Sequence, residues 1–256
     1  MSNMKTIYIG SGGLGDSVIL GAKLMNIVDG AHQPGDMVHY THLESNKRSN
    51  YEHALIEYWR LVANYFRSRA IIFTFNVEFY PHGKFWQHVP QKVFNTSTGL
   101  TTKVDRLCSK VPGQLVIPDS GFEQCVAVII DGGGGSRGIS PKACIDFAED
   151  NNLLVVAIGQ KEREINSSKV YNLTGRTCLT EALSIVSGCK AVIGPDGIIT
   201  YFAAMYQVPT CIFYHAPNLP VQYSLHQLPD RQVVACVTQS IINEERLLNE
   251  VLERLA

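Results

Sequence analysis

Three glycine-containing segments hold the residues whose types and spacing suit chemistry on a phosphorylated ligand. The first is Gly10-Ser-Gly-Gly-Leu-Gly-Asp16, set between a β-branched run and an apolar stretch of helical period. Glycines let the backbone turn sharply at the C-terminal edge of a sheet, and the helix that follows directs free N–H groups at an anion. Gly10, Gly12 and Gly15 have the G-x-G-x-x-G spacing of a dinucleotide loop, but Met37-Val-His-Tyr-Thr-His42 stands where that loop needs an acidic ribose partner. Gly13 and Gly15 therefore read as ligand-lining glycines of less definite class. Asp16 has two readings: the N-cap of a helix starting at 17, or a general base at the mouth of a cleft.

The second segment, Asp131-Gly-Gly-Gly-Gly-Ser-Arg-Gly138, follows an apolar run and precedes Ser140-Pro-Lys, a helix N-cap with proline in the first turn. Gly133, Gly134 and Gly135 permit close backbone approach to a bulky anion. Ser136 and Arg137, or else Lys142, supply the polar groups and charge that a departing diphosphate needs. The competing reading is a hinge with solvated cations. The third segment runs from Asn172 to His215 as turn, helix, strand, tight turn, helix and strand, with Asp196-Gly197 at a strand end and a helix starting near Ile198. That helix start presents unpaired N–H groups and partial positive charge.

The surrounding elements alternate strand and helix, as parallel sheets with crossover helices require. Strands are expected at 5–10, 37–43, 70–76, 115–118, 125–131, 153–159, 191–195, 209–214 and 232–237. Helices are expected at 17–29, 48–67, 140–150, 179–188, 198–207 and 240–255. The stretch from Pro81 to Pro118 breaks the rhythm with scattered Pro and Gly. A length of 256 residues suits two modest domains, here 1–120 on an acceptor side and 121–256 holding a donor. The expectation is an α/β chain of two Rossmann-like domains facing across a cleft.

Lys and Arg total 22 against 23 Asp and Glu, which removes a net positive field as a reason to bind nucleic acid or an anionic membrane. Seven cysteines form an odd set without a C-x-x-C pair, and most lie in apolar runs. They read as buried hydrophobes in a reducing compartment, and the direct entry into a strand at Lys5 leaves no leader, so a cytoplasmic protein is expected. No apolar run nears the roughly 20 residues of a membrane span, which limits membrane contact to a peripheral kind. His39, His42, His82, His88 and His215 lack metal-ligand spacing, and no metal is expected.

The sequence resembles the ADP-heptose:lipopolysaccharide heptosyltransferases and their relatives in glycosyltransferase family 9, of GT-B fold. Gly13-Leu-Gly-Asp16 matches their N-terminal G-x-G-D, and Leu173-Thr-Gly175, Thr177, Leu179, Glu181, Gly194, Asp196, Ala203-Ala204 and Pro209 match their long C-terminal block. The likeness covers the first 25 residues and most of 125–215. Ile198 and Tyr201 stand where the family carries glycine and histidine. The resemblance implies that Asp16 deprotonates an acceptor hydroxyl and that Glu162 or Glu164 contacts a donor ribose. It also implies that Leu173, Thr174 and Gly175 lie beside the base, and that Asp196, Gly197, Ile198, Ile199 and Thr200 bind a diphosphate.

The function expected is an inverting, metal-independent transfer of sugar from a nucleotide diphosphate donor to a carbohydrate or other hydroxyl acceptor, with no cofactor beyond that donor substrate. The alternatives are a catalytically idle nucleotide-sugar-binding protein, or a nucleotide-sugar epimerase or hydrolase on the same fold.

Overall fold

A computed structural model describes residues 5–44, 49–79, 99–100, 121–131, 138–214 and 233–237. Contacts divide the chain into two units, Met1–Val116 and Ile117–Ala256. The strand expected at 115–118, the helix expected at 240–255 and residues 132–137 lie outside the described residues.

In the first unit the order is β1 (Lys5–Ser11), α1 (Leu14–Ala31), β2 (Met37–Glu44), α2 (Ser49–Arg67), β3 (Ile72–Phe79) and β4 (Gly99–Leu100). The strands form a parallel sheet in the order β3-β2-β1-β4. One face of the sheet packs Val38 and Tyr40 against the buried faces of the helices, where Val18, Leu24, Tyr58, Trp59 and Phe66 are inaccessible to solvent. The helix α1 starts three residues before the expected 17, so Asp16 lies inside its first turn and Gly13 is the N-cap. β3 starts two residues late because Ala70, at φ 57°, turns the chain before the strand. β4 falls within the irregular stretch, ahead of the strand expected there at 115–118.

In the second unit the order is β5 (Val126–Ile129), α3 (Pro141–Asp150), β6 (Val155–Ile158), β7 (Val170–Asn172), α4 (Leu179–Gly188), β8 (Ala191–Pro195), α5 (Ile198–Met205), β9 (Thr210–Tyr214) and β10 (Val233–Val237). The sheet is parallel throughout, in the order β10-β9-β8-β5-β6-β7. β5, β6, β8 and β9 are buried at every position, as strands covered on both faces must be. Ser140 caps α3 through a 3.1 Å bond from the Ala143 N–H, with Pro141 following. Phe147 of α3 joins Val128, Val155, Ala157 and Ile193 in the core.

Candidate functional site

In open parallel sheets ligands bind outside the C-terminal strand ends where the strand order reverses. In the second unit β5, β6 and β7 step one way and β8, β9 and β10 the other, so the reversal lies between β5 and β8. The glycine run leaves the first of these strands and Asp196-Gly197 leaves the second. In the first unit the reversal lies between β1 and β4, and Gly10–Asp16 leaves β1.

Around β8 the backbone is fitted closely. A Cβ on Gly194 would fall 2.5 Å from Ile129 Cβ, so only glycine lets β8 lie this near β5. The Thr200 hydroxyl donates to the Pro195 carbonyl at 2.9 Å and closes the turn. Ile198 and Thr200 are buried, so what they offer a ligand is backbone. Tyr201 N–H, bonded to the Gly197 carbonyl at 3.0 Å, makes the first helical bond; the N–H groups of Ile198, Ile199 and Thr200 precede it and have no intrahelical partner. Tyr201 is buried and its hydroxyl hydrogen-bonds that of Tyr214, whose pKa burial raises, with a further push from the Asp196 charge.

Asp131 and Gly138 form an antiparallel bridge, and a Cβ on Gly138 would fall 2.6 Å from the Ile130 carbonyl oxygen. Gly133, Gly134, Gly135, Ser136 and Arg137 themselves lie outside the described residues. Lys142, the alternative cation, pairs with Asp146 one turn on. Asp131 ties the root of the run to the loop after β6: its carboxylate accepts from Lys161 N–H at 3.1 Å and from Arg163 Nη2 at 3.2 Å.

The loop after β6 interlocks with Leu173–Gly175. Arg163 N–H donates to Thr174 Oγ1 at 2.9 Å, Thr174 Oγ1 donates to Asn172 Oδ1 at 2.7 Å, and Asn172 Nδ2 donates to the Arg163 carbonyl at 2.8 Å. Gly175, at φ +70°, donates its N–H to the Gly159 carbonyl at 2.8 Å, and a Cβ there would fall 2.6 Å from Glu162 N. Glu162 thus stands against Gly175, with an exposed ion pair to Arg176 at 3.3 Å. Glu164 is one step away, accepting from Asn166. Asp131, Arg163 and Asn172 were not picked out from sequence; the one available sign was an acid placed directly at a strand end.

In the first unit Asp16 is not the N-cap. It is the third residue of α1, and its Oδ2 reaches back to accept the Gly13 N–H at 2.7 Å. Half-buried carboxylates in a first turn are favoured by the helix dipole, and this one also satisfies an end N–H. Gly15 lies in the same turn. Gly12, at φ +154°, admits no Cβ because it would fall 2.5 Å from Asp16 Cβ. Below the loop, His42 Nε2 lies 3.0 Å from the Gly12 carbonyl oxygen and Tyr40 Oη 3.1 Å from His42 Nδ1. Burial lowers the His42 pKa to about 4, so the ring is neutral.

Elsewhere, a cavity of about 260 Å³ lined by Lys5, Ile7, Met37, Val38, His39 and Thr74 sits at the N-terminal strand ends and includes none of these residues. His39 bonds Thr74 and Asn76. Among the described residues no group of three His, Cys, Asp or Glu is arranged to hold a metal, and no helix is long and apolar enough to cross a membrane.

The strand orders and loop positions define an α/β chain of two Rossmann-like units. Solved structures share this fold. A glycosyl transferase family 9 protein from Veillonella parvula aligns with a TM-score of 0.50 and 14% identity, over 100% of this chain and 98% of its own. The ADP-heptose LPS heptosyltransferase II of E. coli gives 0.53 and 13%, over 98% of each chain. The E. coli heptosyltransferase WaaC with ADP gives 0.53 and 10%, over 99% of each. No family model matches the chain, and no curated protein sequence matches it. At these identities the likeness is one of fold.

Proposed function

We propose that this protein is a glycosyltransferase that moves a sugar from a nucleoside diphosphate donor to an acceptor hydroxyl, with inversion and without a bound metal. The observation that carries the reading is the placement of Gly10–Asp16, Asp131 and the α5 N-terminus at strand-order reversals, where α/β sheets take ligands. Fold neighbours that are heptosyltransferases, one of them solved with ADP, add weight and make adenine nucleotides the first donors to try.

In this mechanism the second unit holds the donor. Leu173–Gly175 lies beside the base, Glu162 beside the ribose, and the diphosphate meets Asp196, Gly197 and the N–H groups of Ile198, Ile199 and Thr200. Gly133, Gly134, Gly135, Ser136 and Arg137 enclose the same phosphates. Asp16, with Gly13 and Gly15 around it, takes the proton from the acceptor hydroxyl as its oxygen forms the new bond to the anomeric carbon. The bond from that carbon to the diphosphate breaks, the electron pair leaving with the phosphate oxygen. Helix N–H groups and Arg137 stabilise that charge as it develops.

Tyr201 favours a second reading. It is buried and bonded to Tyr214 where the resembled family carries histidine, which fits a nucleotide-sugar-binding protein without transfer activity. A screen of nucleoside diphosphates and their sugar conjugates by thermal shift and native mass spectrometry tests the donor assignment. Stabilisation that rises with ligand concentration is expected; no shift at millimolar nucleotide would sink it. Sugar transfer to a hydroxyl acceptor by a protein that passes the screen separates the enzyme from the idle binder.

A further inference from the structure

A fully buried histidine is usually a satisfied core group, and His42, packed against Tyr40 and Trp59, is both buried and satisfied. What sets it apart is where its two bonds lead. The Gly12 carbonyl only accepts, so Nε2, 3.0 Å away, carries the ring proton. The ring is neutral, so Nδ1 accepts from the Tyr40 hydroxyl at 3.1 Å. The Gly12 carbonyl thereby chooses one tautomer, and Tyr40 holds the other nitrogen of the ring. Gly12, held by that bond, is the residue against which Asp16 is seated, since any Cβ on it would displace the Asp16 side chain. The next residue, Gly13, donates its N–H to the Asp16 carboxylate.

We propose that His42, its ring held by Tyr40, is a positioning residue that fixes the Gly12 carbonyl and thereby aims the Asp16 carboxylate at the acceptor hydroxyl. The acceptor's part in this rests on the glycosyltransfer reading; the geometry concerns His42, Gly12 and Asp16 alone. His42 is inaccessible to solvent and touches no substrate. Its effect on rate is through the placement of the base, where a displacement of about 1 Å can cost about 100-fold.

The test compares His42→Leu, His42→Gln and Tyr40→Phe in the full chain. Leucine fills much of the volume and donates nothing, whereas the glutamine amide nitrogen reaches the place of Nε2 and donates to the same carbonyl. Nitrogen NMR reads the imidazole tautomer and the Gly13 amide, whose shift follows the carboxylate bonded to it. In the parent protein the Nε2–H form is expected, without titration between about pH 5 and pH 8. His42→Leu is expected to move the Gly13 amide and to lower kcat at least about tenfold, with donor KM within about twofold. His42→Gln restores both. An Nδ1–H tautomer, an unmoved Gly13 amide in His42→Leu, or a glutamine variant no better than leucine overturns the proposal. If His42→Leu does not fold, Tyr40→Phe decides: with the bond to Nδ1 gone and the Gly12 carbonyl still selecting Nε2–H, the ring is less firmly held and the Gly13 amide is expected to shift, and an unmoved amide overturns the proposal. If the parent protein transfers sugar from no donor, the glycosyltransfer reading fails, while the tautomer and the Gly13 amide still decide the role of His42.

Discussion

A carboxylate and a carboxamide at position 16 have the same shape, and they separate the two things Asp16 does. The amide oxygen of Asp16→Asn can still accept the Gly13 N–H, and the helix-dipole interaction lost with the charge is about 0.3–1 kcal/mol. It cannot take a proton, and a positioned base contributes about 10²–10⁴-fold in rate. The expected variant is folded, binds nucleotide normally and turns over at least about 100-fold more slowly; parental turnover would remove Asp16 from the chemistry. His42 gives a stability prediction of its own. Its folded pKa, about 4, lies below the ordinary histidine value of 6.5, so between those values the unfolded chain binds the proton and the folded protein does not. The stability it contributes is complete above about pH 6.5 and is lost as pH falls through about 4, amounting to up to about 3 kcal/mol. Denaturant midpoints measured from pH 7 to pH 4 should fall less steeply in His42→Gln, which has no such proton to bind. Parallel curves for the two proteins would show that His42 does not carry this dependence.

Among the elements, the interlocked loops after β6 and β7 make the sharpest prediction, because their Gly175 shares a backbone conformation with Gly121, ahead of β5, and differs from it in its surroundings. Gly121 has φ +72° and open space where a Cβ would stand; Gly175 has φ +70° and backbone of Glu162 at 2.6 Å. Alanine at Gly121 meets only the left-handed penalty, about 1–2 kcal/mol. Alanine at Gly175 adds the clash, so it should destabilise more and also weaken nucleotide binding, measured by denaturant titration and calorimetry. Equal losses in both variants would mean that the fit of Gly175 against Glu162 carries no weight. The same loops mark where sequence reading stops. β5 and β8 were legible because continuous apolar runs end in glycine or proline turns, and the α3 cap because Ser-Pro announces it. The start of α1 was missed because Asp serves equally as N-cap or, as here, third residue bonded back to the cap. β4 has two residues and β7 three, with Tyr171 half exposed, too short for a period to register. The bonds joining Asp131 to Arg163 and Arg163 to Thr174 span 32 and 11 residues, and nothing in a single sequence pairs partners that far apart.

Across the whole chain the proposed roles divide by unit: the base belongs to residues before Val116 and every donor group to residues after Ile117. Hydrogen exchange can read that division directly, because the amides differ in what already holds them. Gly175 N–H is bonded to Gly159 in the absence of ligand, and its protection should change little when nucleotide binds. Ile198, Ile199 and Thr200 have no intrahelical acceptor for their N–H groups, so a phosphate that accepts from them should slow their exchange most. The expected result with saturating nucleoside diphosphate is new protection centred on residues 198–200, with the amides of Gly12 to Asp16 unchanged. Helix N–H groups and arginine serve in place of a metal ion in this mechanism, so the same protection should persist with a chelator present. Protection that appears only with a divalent ion would overturn the metal-independent mechanism, and protection centred on Gly12 to Asp16 would move the donor to the first unit.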